Sequence, residues 1–73
     1  MQIRAISVIE YTSGAVSFVR LFSDDEEGKK EAEELFVKKA KNNGMDDADR
    51  DICLADGLFE EGDYQIFLML SKI

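Results

Sequence analysis

Ser23-Asp24-Asp25-Glu26-Glu27-Gly28-Lys29-Lys30-Glu31-Ala32-Glu33-Glu34-Leu35-Phe36-Val37-Lys38-Lys39-Ala40-Lys41-Asn42-Asn43-Gly44 is the stretch whose reading decides the fold. Gly28, Ala32, Leu35, Phe36 and Ala40, with Val37 beside them, recur at steps of three and four. That spacing draws one apolar stripe along a helix. Ser23 to Glu26 has the form of a capping box, in which a hydroxyl and a carboxylate each satisfy an orphan backbone N–H. Acids crowd the first turn and Lys38, Lys39 and Lys41 the last, as the helix dipole favours. Asn43-Gly44 supplies the stop. Asp25 to Lys29, Glu26 to Lys30 and Glu34 to Lys38 are i,i+4 pairs worth about 0.2–0.5 kcal/mol each, so the charged face reads as solvated helix surface.

Upstream of this helix, residues 2–11 and 15–22 are rich in β-branched and aromatic side chains, and Thr12-Ser13-Gly14 separates them. They read as a β-hairpin. Downstream, residues 63–72 read as a final strand, and the five successive apolar residues Ile66 to Leu70 suit a central position or cover on both faces. Between them, Met45, Ala48, Ile52 and Ala55 are spaced for a short helix capped by Asp46 or Asp47 and stopped by Gly57. A strand through Ile52-Cys53-Leu54 is the alternative. Leu58 to Gly62 reads as a loop with Phe59 turned inward. The expected fold is a two-layer α+β domain over residues 1–73. It runs β-β-α-(short α)-β, with a three-stranded, mainly antiparallel sheet and the long helix packed on one face.

The strands carry more apolar surface than that helix can cover. Ile3, Ala5, Ile9 and Tyr11 alternate with Ile6 and Val8; Val19 and Leu21 with Val16, Phe18 and Phe22; Ile66, Leu68 and Leu70 with Phe67 and Met69. An uncovered apolar face of a few hundred Å² is unusual for a monomer. The sequence therefore predicts self-association, as a homodimer, through sheet residues such as Val16, Phe18, Phe67 and Met69.

Composition narrows the chemistry. Seventy-three residues with net charge −7 do not offer the clustered Lys and Arg that grip nucleic-acid phosphates or anionic lipid. No apolar run is long enough to span a bilayer as a helix. Cys53 is the single cysteine and excludes an internal disulfide; with no signal-sequence pattern at the start, it fits a cytoplasmic protein. Histidine is absent, which removes the commonest general base and metal ligand and leaves the thiol of Cys53 without an evident activator. No cofactor motif is present, and an enzyme is not expected.

Asp47, Asp49 and Asp51 sit at the spacing that opens an EF-hand loop. Ile52 then stands where the loop needs Gly, and Leu58 where it needs a bidentate Glu. At most a weak divalent-cation site is implied. Asp46, Asp47, Asp49, Asp51, Asp56, Glu60, Glu61 and Asp63 oppose only Arg50 and make a candidate acidic face. The reading is a small, non-enzymatic protein-interaction module, self-associating and able to meet a basic partner protein. The alternative is an acidic mimic of nucleic acid that inhibits a DNA- or RNA-binding protein.

Overall fold

Phe36, Ile66 and Val8 are the largest fully buried side chains, and they come from one helix and two strands of a four-stranded antiparallel sheet. The computed structural model describes residues 4–72; Gln2 and Ile3, assigned above to the first strand, lie outside the described residues. In chain order the elements are β1 (Arg4–Thr12), β2 (Ala15–Ser23), α1 (Glu26–Asn42), a 3-10 turn (Asp47–Asp49), α2 (Arg50–Asp56), β3 (Leu58–Glu61) and β4 (Tyr64–Lys72). The sheet order is β2-β1-β4-β3, so the long strands β1 and β4 are central, as the apolar run in β4 requires. The class is α+β.

The β1–β2 turn takes positive φ at Ser13 (52°) and Gly14 (82°), the backbone of a two-residue hairpin turn whose twist matches its strands. β2 passes almost directly into α1. The helix is capped by Asp25 rather than Ser23: the Gly28 N–H donates to Asp25 Oδ1 at 2.7 Å, and the Ser23 hydroxyl donates to the same carboxylate at 3.1 Å. Ser23 is still in β2, too early to reach the orphan amides of the first turn, so its role passes one step outward to orienting the cap. At the other end the Gly44 N–H reaches Lys41 O (3.2 Å) and the Met45 N–H reaches Ala40 O (3.0 Å). This is a Schellman ending, and the buried Met45 supplies its apolar contact.

Gly28, Ala32, Phe36 and Ala40 form the buried stripe of α1, as their spacing predicts. Ala32, Phe36 and Ala40 share one core cluster with Ile6, Val8, Phe22, Ile66 and Phe59. Pairing of Ile6 with Phe22 and Leu70, and of Val8 with Arg20 and Leu68, fixes which side chains share the helix side of the sheet.

Three local expectations are corrected. Leu58 to Glu61 is a fourth strand, not a loop: it pairs with β4 through Leu58↔Phe67, Phe59↔Ile66, Glu60↔Gln65 and Glu61↔Tyr64. It forms a hairpin with β4 across Gly62-Asp63, and that pairing, more than its own side-chain pattern, makes the segment extended. The short helix exists and stops at Gly57, whose left-handed backbone (φ 69°) brings its carbonyl to the Leu68 N–H at 2.8 Å. Its inward residues, however, are Cys53 and Leu54; Ala48, Ile52 and Ala55 are exposed. Finally, a bulge between Glu10 and Tyr11 skips Ser17 in the β1–β2 register. Val16 therefore shares a face with Val19 and Leu21, while Phe18 stays with Phe22 on the helix side.

Candidate functional site: the open face of the sheet

One face of the sheet packs on α1 through Ile6, Val8, Phe22 and Ile66; the other is open, carrying most of the large exposed apolar side chains of the described residues. The side chains of that open face follow from register: Ala5, Ser7, Ile9 and Tyr11 on β1, Val16, Val19 and Leu21 on β2, and Gln65, Phe67 and Met69 on β4. Leu58 and Glu60 of β3 complete it. Val16, Val19, Leu21 and Met69 remain 55, 53, 57 and 45% exposed. They account for four of the six large hydrophobic side chains that stay exposed among the described residues.

The face has relief. Ser7 is buried between its cross-strand neighbours Leu21 and Met69, and Ala5 continues the line beside it. Small residues along β1 thus form the floor of a shallow trough, with Leu21 and Met69 as its walls. Toward the other end Tyr11 and Phe67 meet edge to face, ring centroids 5.5 Å apart and planes at 86°. That pair is a rigid aromatic anchor of the type that carries binding energy at interfaces. Glu60, bonded to the amide of Gln65, is the one ionisable carboxylate among the described residues of this face.

Val16, Phe67 and Met69 of the sequence-derived interface set are thus brought together. Phe18 is not: it is half-buried on the helix side, with Lys39 Nζ 4.0 Å from its ring centroid.

Lys39 belongs to a polar cluster that periodicity does not reveal. Its ammonium pairs with Glu10 Oε1 at 3.0 Å, and the Tyr64 hydroxyl donates to Glu10 Oε2. Glu10 is buried at the seam of α1 with β1 and β4, and these two partners satisfy its side-chain oxygens. Burial first, then the hydrogen bond to Glu10 and its negative charge, raise the pKa of Tyr64 far above the ordinary tyrosine value. The phenol is therefore held as a neutral donor. The sequence does hold one clue: Glu10 has the same parity as Ile6 and Val8, the inward set.

The eight acids of residues 46–63 are all exposed, but they span the 3-10 turn, α2, β3 and the β3–β4 turn. Glu60 and Glu61 point to opposite sides of the sheet. Lys41 pairs with Asp47 and holds its carboxyl below the ordinary range, while Arg50 lies 3.6 Å from Asp51. Among the described residues no three carboxylates or thiols are placed to hold a metal ion, Asp47, Asp49 and Asp51 included. Cys53 is packed against the core, and burial, followed by the charges of Asp49 and Asp56, pushes its thiol pKa up. A raised pKa is the reverse of what a nucleophilic thiolate needs.

A groove of about 530 Å³ between α1, α2 and β4 has Leu54, Leu68 and Leu70 in its wall and Asp24, Lys29 and Glu33 about it. Among the described residues, no helix is long and apolar enough to cross a membrane. Comparison with family models, with curated proteins and with solved structures finds no match to this chain.

Proposed function

We propose that the protein is a small, acidic, non-enzymatic interaction module that self-associates by apposing the open faces of two sheets about a two-fold axis. The observation that carries this reading is the segregation of charge. Two copies at net charge −7 repel each other, and that repulsion is least where each surface carries little negative charge. The open face is that surface: one carboxylate at a corner, and apolar or small neutral side chains over the rest.

Its size is adequate. Three strands of nine residues and one of four, at about 3.3 Å per residue and 4.8 Å between strands, tile roughly 500 Å² in projection. The accessible area of such a corrugated surface exceeds its projection and approaches the ~800 Å² per partner of a standard interface. A two-fold contact also suits the relief, since the Leu21 and Met69 walls of one copy have the Ala5–Ser7 trough of the other to enter.

Apart from Glu60, the acids at 46–63 remain outward in such a dimer and would steer a basic partner protein. Their spread over both sides of the sheet favours that role over the mimicry of a nucleic-acid strand. The proposal is tested by solution mass and by Met69→Lys, which puts a charge in the centre of the face at an already exposed position. Loss of the dimer in the variant supports the proposal; a wild-type monomer at every concentration refutes it.

A further inference from the structure

The two edges of the sheet are not alike. β3 is four residues long and ends in Glu60-Glu61, and short, charged edges resist pairing. β2 is nine residues long, contains no proline and no acid, and bears a single charge, Arg20. Among the described residues it pairs only with β1. In a chain this acidic, an acid-free strand with one positive charge is left at the edge. From this asymmetry we propose that β2 pairs antiparallel with β2 of a second copy, joining two sheets into one of eight strands. This contact is separate from the apposition of open faces and does not rest on it.

Register follows from three constraints. The bulge at Ser17 leaves Phe18 to Ser23 as the regular part of the edge. A two-fold axis normal to the sheet sets residues of one face opposite each other, so the two numbers of each pair sum to an even constant. Centring on Arg20 would oppose two guanidinium groups, which is unfavourable. Centring on Val19 would run the pairing into the bulge. Centring on Phe22 would pair only Leu21 to Ser23 of the strand, whereas centring on Leu21 satisfies all three constraints over a longer stretch: Leu21 meets its own copy, Arg20 meets Phe22, and Val19 meets Ser23.

Arg20 already lies 5.0 Å from the centroid of its own Phe22 ring, so this pairing sets a second such ring beside it. Alongside β2, a groove of about 300 Å³ is lined by Arg20, Phe22, Glu31, Glu34, Leu35 and Lys38. The partner's guanidinium, entering opposite Phe22, comes under two carboxylates of α1. Leu21, the most exposed large apolar side chain of the strands, sits at the axis. If the open-face contact forms as well, two isologous interfaces build a closed four-chain assembly where their axes intersect.

The test is site-directed crosslinking in a Cys53→Ala, Met69→Lys background, which removes the native thiol and disables the open face. Single Leu21→Cys, Val19→Cys and Val16→Cys variants are oxidised by dioxygen with a copper catalyst, two thiols giving one disulfide. In the proposed register the Leu21 Cα atoms are about 4.5–5.5 Å apart, within disulfide reach. The Val19 Cα atoms lie about 14 Å apart, beyond it. Leu21→Cys should form a covalent dimer at least roughly tenfold faster than the other two. Equal rates at the three positions, or no crosslink at Leu21→Cys, overturn the edge pairing. A Leu21→Cys crosslink seen with Met69 intact but lost with Met69→Lys assigns the contact to the open face. That result overturns the edge pairing and leaves the apposition of faces standing.

Discussion

Replacing Gly28 by alanine sets two effects of opposite sign against each other. Helix propensity alone favours the change by about 0.8–1.0 kcal/mol, because alanine loses less backbone entropy than glycine. The structure predicts the reverse. A Cβ at Gly28 would lie 1.9 Å from the Ser23 carbonyl oxygen, 2.7 Å from its hydroxyl and 2.8 Å from its carbonyl carbon. The obstacle is backbone, and separating carbon from oxygen to ordinary contact requires a displacement of about 1.5 Å.

That displacement has to come from the end of β2 or the first turn of α1. It would loosen the Asp25 bond to the Gly28 amide and the burial of Phe22, three residues before the cap. Overpacking of this kind costs typically about 1–3 kcal/mol, and a lost cap about 1 kcal/mol. After subtracting the propensity gain, Gly28→Ala should destabilise the protein by about 1–3 kcal/mol. For a chain of this size that lowers the melting temperature by roughly 4–8 °C per kcal/mol. Urea unfolding followed by circular dichroism measures it, with Lys30→Ala, at an exposed position of the same helix, as the control. A Gly28→Ala variant as stable as wild type, or more so, would refute the close packing of α1 onto Ser23.

Asp25→Ala should cost about 0.5–2 kcal/mol and Ser23→Ala clearly less, which a pair of denaturation curves separates; equal losses would return the cap to Ser23. Lys39→Met leaves the buried Glu10 carboxylate with Tyr64 as its remaining named partner. Because Lys39 is a quarter exposed, the expected loss is about 1–3 kcal/mol rather than the full cost of breaking a buried pair. A double-mutant cycle with Glu10→Gln should return a coupling energy, and additivity would show that the contact contributes nothing. The raised pKa of Tyr64 makes a signed prediction at high pH. Above the ordinary tyrosine pKa near 10, the unfolded phenol loses its proton while the folded one keeps it. The unfolded state then binds fewer protons, and stability falls as pH rises from about 10 upward. Tyr64→Phe should flatten that extra slope relative to wild type in unfolding measured between pH 8 and 11; identical slopes would contradict the buried donor.

What could be read from the sequence was what rests on local periodicity. The stripe Gly28-Ala32-Phe36-Ala40, the Asn43-Gly44 ending and the Ser13-Gly14 turn each follow from a few adjacent residues, and each is found. So is the surplus of apolar strand surface, including the pairing of Phe67 with Met69 on one face. What escaped depends on pairing and packing that side-chain periodicity does not display. Glu60-Glu61 looks like a loop until β4 supplies hydrogen bonds for it. Val16 leaves the face of Phe18 and Phe22 because one bulge at Ser17 shifts the alternation, and a strand's pattern is read correctly only up to its first irregularity. Glu10, Lys39 and Tyr64 come from three elements and share no spacing; their convergence is a property of the packed helix and sheet.

Apposition of the open faces is tested most directly by solution mass. Light scattering behind size exclusion, over a concentration series from the low micromolar range, should give wild type at twice 8.3 kDa or a higher multiple. Met69→Lys, with its fold intact by circular dichroism, should have half the wild-type mass or less. A wild-type mass of 8.3 kDa throughout the series, or an assembly that Met69→Lys leaves unchanged, would contradict it.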